Sequence, residues 1–117
     1  MTNKLTTNVR KLGNASVVDL QGEVTGFSEN TLMDAYTQAS NGNTQAIILN
    51  FTQLEYLNSS GIGLLVTMLI RTQRQKQKLM ACGLTEHYEE IFKLTRLNEA
   101  IGIFGTEAEA LATIGNS

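Results

Sequence analysis

Residues 45–51 read Gln-Ala-Ile-Ile-Leu-Asn-Phe, a continuous apolar, β-branched run of strand length without the polar alternation of a half-exposed strand. Such a run is the pattern of a strand covered on both faces, so it belongs at the centre of a sheet with packing layers on either side. The flanking sequence supplies those layers. Leu5 to Lys11 and Ala15 to Gln21 are short extended stretches on either side of Gly13-Asn14, which reads as a hairpin turn between antiparallel strands. Ser28 precedes Leu32, Ala35, Tyr36 and Ala39 at helical spacing, and Asn41-Gly42 stops that first helix. Beyond the central strand, Asn58-Ser59-Ser60-Gly61 opens a long helix to about Gln75. Lys78 to Cys82 is a fourth strand ending at Gly83, and Thr85 caps a third helix through about Leu94. Ile101 to Phe104 forms a short last strand, and Thr106-x-x-Glu109 is a capping-box pattern before a terminal helix, Ala108 to Ile114. The expected fold is α/β: a mixed sheet of about five strands packed with about four helices, in a single domain spanning residues 1–117.

Composition narrows the function. With 117 residues and 42% hydrophobic content the chain has enough apolar material for one core and no room for a second domain. A net charge of −2 is not the footprint of a general nucleic-acid or anionic-membrane binder, so proteins or small ligands are the expected partners. The start, MTNKLTTNVRK, has no apolar stretch resembling a secretory signal, and Cys82, the one cysteine, has no disulfide partner; a cytoplasmic location is expected. The longest apolar run, Ile62 to Ile70, falls well short of the ~20 residues a bilayer span needs.

Chemistry-bearing groups concentrate where the central strand gives way to the long helix. Ser59 and Ser60 place two hydroxyls at a helix amino end, where unpaired N–H groups and the helix dipole favour an anion such as a phosphate. On spacing alone, Asn58 or Ser59 reads first as a plain N-cap. Gly61 and Gly63, each weakening a helix by roughly 1 kcal/mol relative to alanine, imply close approach of a partner's backbone or a nucleotide. Ile62, Leu65, Val66, Leu69 and Ile70 make a core stripe, which turns Leu64 and Met68 to the opposite side. There they either form a partner-binding patch or lie under another helix.

Catalytic readings are poorly supplied. Cys82 sits in an apolar strand with no histidine paired to it, and one histidine plus one cysteine cannot make a zinc site. No phosphate-binding or dinucleotide fingerprint is present, so no cofactor is expected. A triad of Ser59 with His87 and Asp19 or Asp34 would lack the Gly-x-Ser-x-Gly elbow. The basic, glutamine-rich run Arg71 to Lys78 reads as a solvated helix end whose charge suits the dipole, and Glu86, Glu89 and Glu90 as the exposed acids of the third helix.

The stretch Ile47-Ile48-Leu49-Asn50, Leu54-Glu55-Tyr56-Leu57, Asn58-Ser59-Ser60-Gly61-Ile62-Gly63 resembles the signature of the STAS domain, the module shared by sulfate transporters and bacterial anti-sigma-factor antagonists. Gly22-Glu23-Val24 and Leu79 to Cys82 extend the resemblance over nearly the whole chain. It implies a non-enzymatic, partner-switching monomer or weak dimer. An anti-sigma factor with serine kinase activity would phosphorylate Ser59, with Ser60 secondary, and a phosphoserine phosphatase would reset it. The unphosphorylated form would bind the anti-sigma factor and release sigma, using Thr25, Asn58, Ser59, Ser60, Gly61, Gly63, Leu64 and Met68. Two positions depart from the family pattern: Asn58 and Thr25 stand where acidic residues are usual. They support an alternative, a STAS scaffold or small-ligand-binding subunit that is never phosphorylated.

Overall fold

Gly13 adopts a φ of +65°, a left-handed conformation that glycine reaches without steric cost, and so folds β1 (Thr6–Leu12) back on β2 (Ala15–Val24) as an antiparallel pair. The computed structural model describes residues 4–114. After β2 the chain passes through a 3-10 turn, Gly26–Ser28, into α1 (Glu29–Ala39). There follow β3 (Ala46–Leu57), α2 (Ser59–Arg74), β4 (Lys78–Cys82), α3 (Glu86–Leu94), a second 3-10 turn at Leu97–Glu99, β5 (Gly102–Phe104) and α4 (Glu107–Ile114). The sheet order is β1-β2-β3-β4-β5, with every pair after the hairpin parallel. This is the mixed five-stranded, four-helix α/β architecture expected from the sequence.

Alternate residues of the central strands serve two different cores. Val18 and Leu20 of β2, Ile47, Leu49 and Phe51 of β3, and Leu79 and Ala81 of β4 pack with Leu32 and Tyr36 of α1, Leu65 and Met68 of α2, and Phe92 of α3. Ala15, Val17, Ala46, Ile48, Met80 and Cys82 face the other way, against Ala110, Leu111 and Ile114 of α4. The larger core is anchored by Phe92, whose ring meets Phe51 edge-on at 6.1 Å.

Two local expectations need correction. The central strand does not stop at Phe51 but continues to Leu57, its second half mostly exposed, because it keeps pairing with β2 as far as Val24. Ser28 does not cap α1 with its side chain. It is buried, accepting from Thr25 N–H at 3.0 Å and donating to the Glu23 carbonyl at 3.1 Å. The capping hydroxyl is that of Thr25, which accepts from Phe27 N–H at 3.2 Å. The capping box before α4 forms as read, with reciprocal bonds between Thr106 and Glu109.

On the α4 side, apolar packing gives way to a ladder of polar groups crossing three strands. Arg10 of β1 donates two hydrogen bonds to Asp19 of β2, both 2.8 Å, and two to Glu107 of α4 at 3.0 and 2.5 Å. Asn50 of β3 donates to Asp19 at 2.8 Å and accepts from Thr52 Oγ1 at 2.6 Å. Hydrogen bonding from the Arg10 guanidinium holds the Asp19 carboxyl down at about 2, against its desolvation, with Asn50 and Asn8 helping. The same contacts raise Arg10 further above its ordinary value. Burial, with Glu107 and Asp19 nearby, pushes the Cys82 thiol up to about 11, which keeps it a packing group.

The stabilising effect of Asp19 is complete above its ordinary value of 3.8 and is lost as the pH falls through about 2. Asp19→Asn is therefore expected to be less stable than wild type at neutral pH, with the gap closing between about pH 4 and pH 2 in urea titrations. Phe92→Ala should cost about 3–5 kcal/mol in the same assay at neutral pH.

Candidate partner-binding site

β2 and β3 finish level with one another, Val24 beside Leu57. Asn58 extends the pairing by one bond, its N–H donating to the Val24 carbonyl at 3.3 Å, and the chain then turns at once into α2. Asn58 stays extended, and its side-chain oxygen accepts from Gly61 N–H at 2.8 Å, while its carbonyl accepts from Ile62 N–H at 2.9 Å. Asn58 is thus the N-cap. Of the amide groups left over at the helix start, those of Ser59 and Ser60 have no partner among the described residues, and both side chains are exposed beside them. The positive end of α2 is open to an anion there.

Gly61 sets the orientation of the whole helix. A Cβ on it would lie 2.2 Å from the Val24 carbonyl oxygen and 2.9 Å from a Leu57 methyl, so only glycine allows this approach. Gly61 faces inward, and with it Leu64, Leu65, Met68 and Thr72. Of the two readings left open for Leu64 and Met68, burial holds, whereas the placing of Val66 and Ile70 in the core stripe and of Gly61 against a partner is overturned. Leu64 and Met68 are core residues and offer no outward patch, and Gly61 serves an internal contact instead of a partner. The outward stripe is Ser59, Gly63, Val66 and Ile70, at i, i+4, i+7 and i+11, with Val66 37% and Ile70 46% exposed. Gly63 has nothing within 4 Å of where a side chain would begin.

The neighbouring turn contributes a residue that the pattern of the sequence did not single out. Gly26 packs against Ser60, since a Cβ on it would lie 3.3 Å from the Ser60 Cβ, and the next residue, Phe27, is fully exposed. Its one sequence signal is its place as an aromatic between two capping hydroxyls, off the apolar period of both strand and helix. Thr25 is half-buried, its hydroxyl engaged within the turn. Tyr88 of α3 steadies the end of β3, its hydroxyl accepting from Leu57 N–H at 3.0 Å.

The triad arrangement is not assembled. Asp19 lies on the α4 side of the sheet in the Arg10 ladder, and among the described residues no hydrogen bond joins Ser59 to His87 or Asp34. Among those residues no three His, Cys, Asp or Glu side chains come together as a metal-holding group, and no helix is long and apolar enough to cross a membrane. A hollow of about 440 Å³ lies at the far end of α2, lined by Leu69, Gln73, Gln77, Lys78, Met80 and Phe104, and includes none of these site residues.

A sheet of this order with a glycine-rich helix start after its central strand is the STAS architecture, and the family pattern of the STAS domain matches residues 6–110. The chain belongs to the STAS domain family. It is 26% identical over 93 residues to the anti-sigma-B factor antagonist of Staphylococcus aureus, covering 79% of this chain and 86% of that one. Its fold is similar to that of an anti-sigma factor antagonist from Mycobacterium paratuberculosis, with a TM-score of 0.81 and 19% identity over 97% of both chains. It is also similar to the Bacillus cell fate determinant SpoIIAA in its phosphorylated form, with a TM-score of 0.72 and 20% identity over 94% of this chain and all of that one.

The two glycines of the helix should respond oppositely to the same change. Gly61→Ala is expected to lower stability by well over 1 kcal/mol through its clash with Val24. Gly63→Ala, facing open space, should raise it by up to about 1 kcal/mol through helix propensity. Thermal unfolding of the two variants measures both.

Proposed function

We propose that this protein is an anti-sigma factor antagonist that acts by binding, without turnover, and that phosphorylation of Ser59 controls the binding. The observation that carries the reading is the exposed Ser59 hydroxyl at the head of the outward apolar stripe of α2, on a helix start whose amide groups favour negative charge. The Staphylococcus relative bears the name of such an antagonist, and a fold neighbour exists in a phosphorylated form. The proposed partner is an anti-sigma factor with serine kinase activity in the cytoplasm, with a phosphoserine phosphatase to reverse the modification.

A dianionic phosphate on Ser59 has to shed water when an apolar partner surface closes on Gly63, Val66 and Ile70. A hundredfold loss of affinity requires only about 2.7 kcal/mol, which one buried phosphate supplies without refolding the domain. Asn58 fits this mechanism. Its oxygen makes the cap bond an aspartate would make, and its neutrality leaves less repulsion for a phosphate on the adjacent residue.

Incubation with the cognate anti-sigma kinase and ATP should add one phosphate to the wild type, located at Ser59 by mass spectrometry and absent from Ser59→Ala. Ser59→Asp should bind the unmodified partner at least about tenfold more weakly than Ser59→Ala. A STAS scaffold that meets no kinase is the second reading, favoured by Asn58 and Thr25 in place of acidic residues; it requires those two variants to bind equally and no label to appear.

A further inference from the structure

Phe27 is the one phenylalanine of the described residues left wholly in water, 101% exposed, whereas Phe51 and Phe92 are core residues and Phe104 is half-buried. The backbone that carries it is pinned on both sides. Thr25 accepts from Phe27 N–H, buried Ser28 accepts from Thr25 N–H and donates to the Glu23 carbonyl, and Ser28 N–H donates to the Thr25 carbonyl at 3.0 Å. A large aromatic ring on a fixed turn loses little conformational freedom when a partner covers it. Through the contact of Gly26 with Ser60, this turn is continuous with the stripe of Ser59, Gly63, Val66 and Ile70.

The charge on the turn and its flanking residues is acidic, while Lys4, ahead of β1, is directed by the strand register toward Glu23. Between Lys11 and Arg71 the chain contains no lysine or arginine. Glu23 and Glu29 flank the turn. We infer that Phe27 is the aromatic anchor of the docking face, entering an apolar socket ringed by lysine and arginine on the partner protein; this rests on the partner-binding reading above. A second copy of this chain would set the acidic collar against itself in a two-fold contact, and an anionic lipid surface would be repelled by it. The collar acts at range, on the rate of encounter. A phosphate on Ser59 acts at contact, on the lifetime of the complex.

The chain has no tryptophan, so Phe27→Trp introduces a single reporter at the proposed anchor. Titrated with the cognate serine-kinase anti-sigma factor at saturating concentration, this variant should shift its emission to the blue and lose access to iodide. Phe27→Ala, with unchanged thermal unfolding, should bind at least about tenfold more weakly, mainly through faster dissociation. Raising NaCl should slow association of the wild type. If the wild type binds and Ser59→Asp weakens it, but Phe27→Ala binds normally or the introduced tryptophan stays open to iodide, the anchor assignment is wrong and the partner-binding reading stands. If the wild type does not bind the anti-sigma factor, that reading falls and the anchor with it. A blue shift on self-association, or on adding anionic vesicles without any partner, would equally overturn the assignment.

Discussion

The site depends on a contact between a glycine and a carbonyl. The Val24 oxygen closes the end of the β2–β3 pairing by accepting from Asn58, and Gly61 rests against it so closely that a methyl group has no place. The first turn of α2 is thereby seated on the strand ends, with Asn58 as both the last rung of the sheet and the cap of the helix. Once Gly61 faces inward, the 3.6-residue period assigns every other residue. Leu64, Leu65 and Met68 enter the core, while Ser59, Gly63, Val66 and Ile70 are carried to the outside. One steric constraint therefore determines both what α2 buries and what it displays.

The reverse of the sheet is organised by different forces. There α4 covers a modest apolar patch and is further attached through Arg10, which serves Asp19 and Glu107 together. An ion pair at the surface contributes little alone, but this one is part of a hydrogen-bonded ladder that fixes the lateral position of the helix. The cationic residues of α2 are confined to its last turn, Arg71 and Arg74, where they suit the carboxyl end of the dipole.

Much of the fold was legible from local chemistry. The Gly13 turn, the doubly covered run at 46–51, the Thr85 and Thr106 caps and the KLMAC strand are each decided by a few neighbouring residues, and their elements lie where the sequence implies. The phase of α2 was not legible. It is apolar on two sides, because one side packs and the other is displayed, so hydrophobic periodicity admits two solutions and favours the wider stripe. Only the tertiary contact at Val24 chooses between them. Ser28 was misleading for a similar reason: its hydroxyl had a better-placed carbonyl within reach than the helix start it precedes. The exposure of Phe27 is likewise tertiary, since it follows from where Gly26 meets Ser60.

The seating of α2 on the strand ends also has a bearing on selectivity. A helix whose first turn rests directly on a backbone carbonyl has little freedom to slide or tilt. On the partner-binding reading proposed above, such a face would discriminate by geometry instead of adapting to an ill-matched surface, and related modules built on the same scaffold could share a cell and keep their signals separate through a few outward side chains.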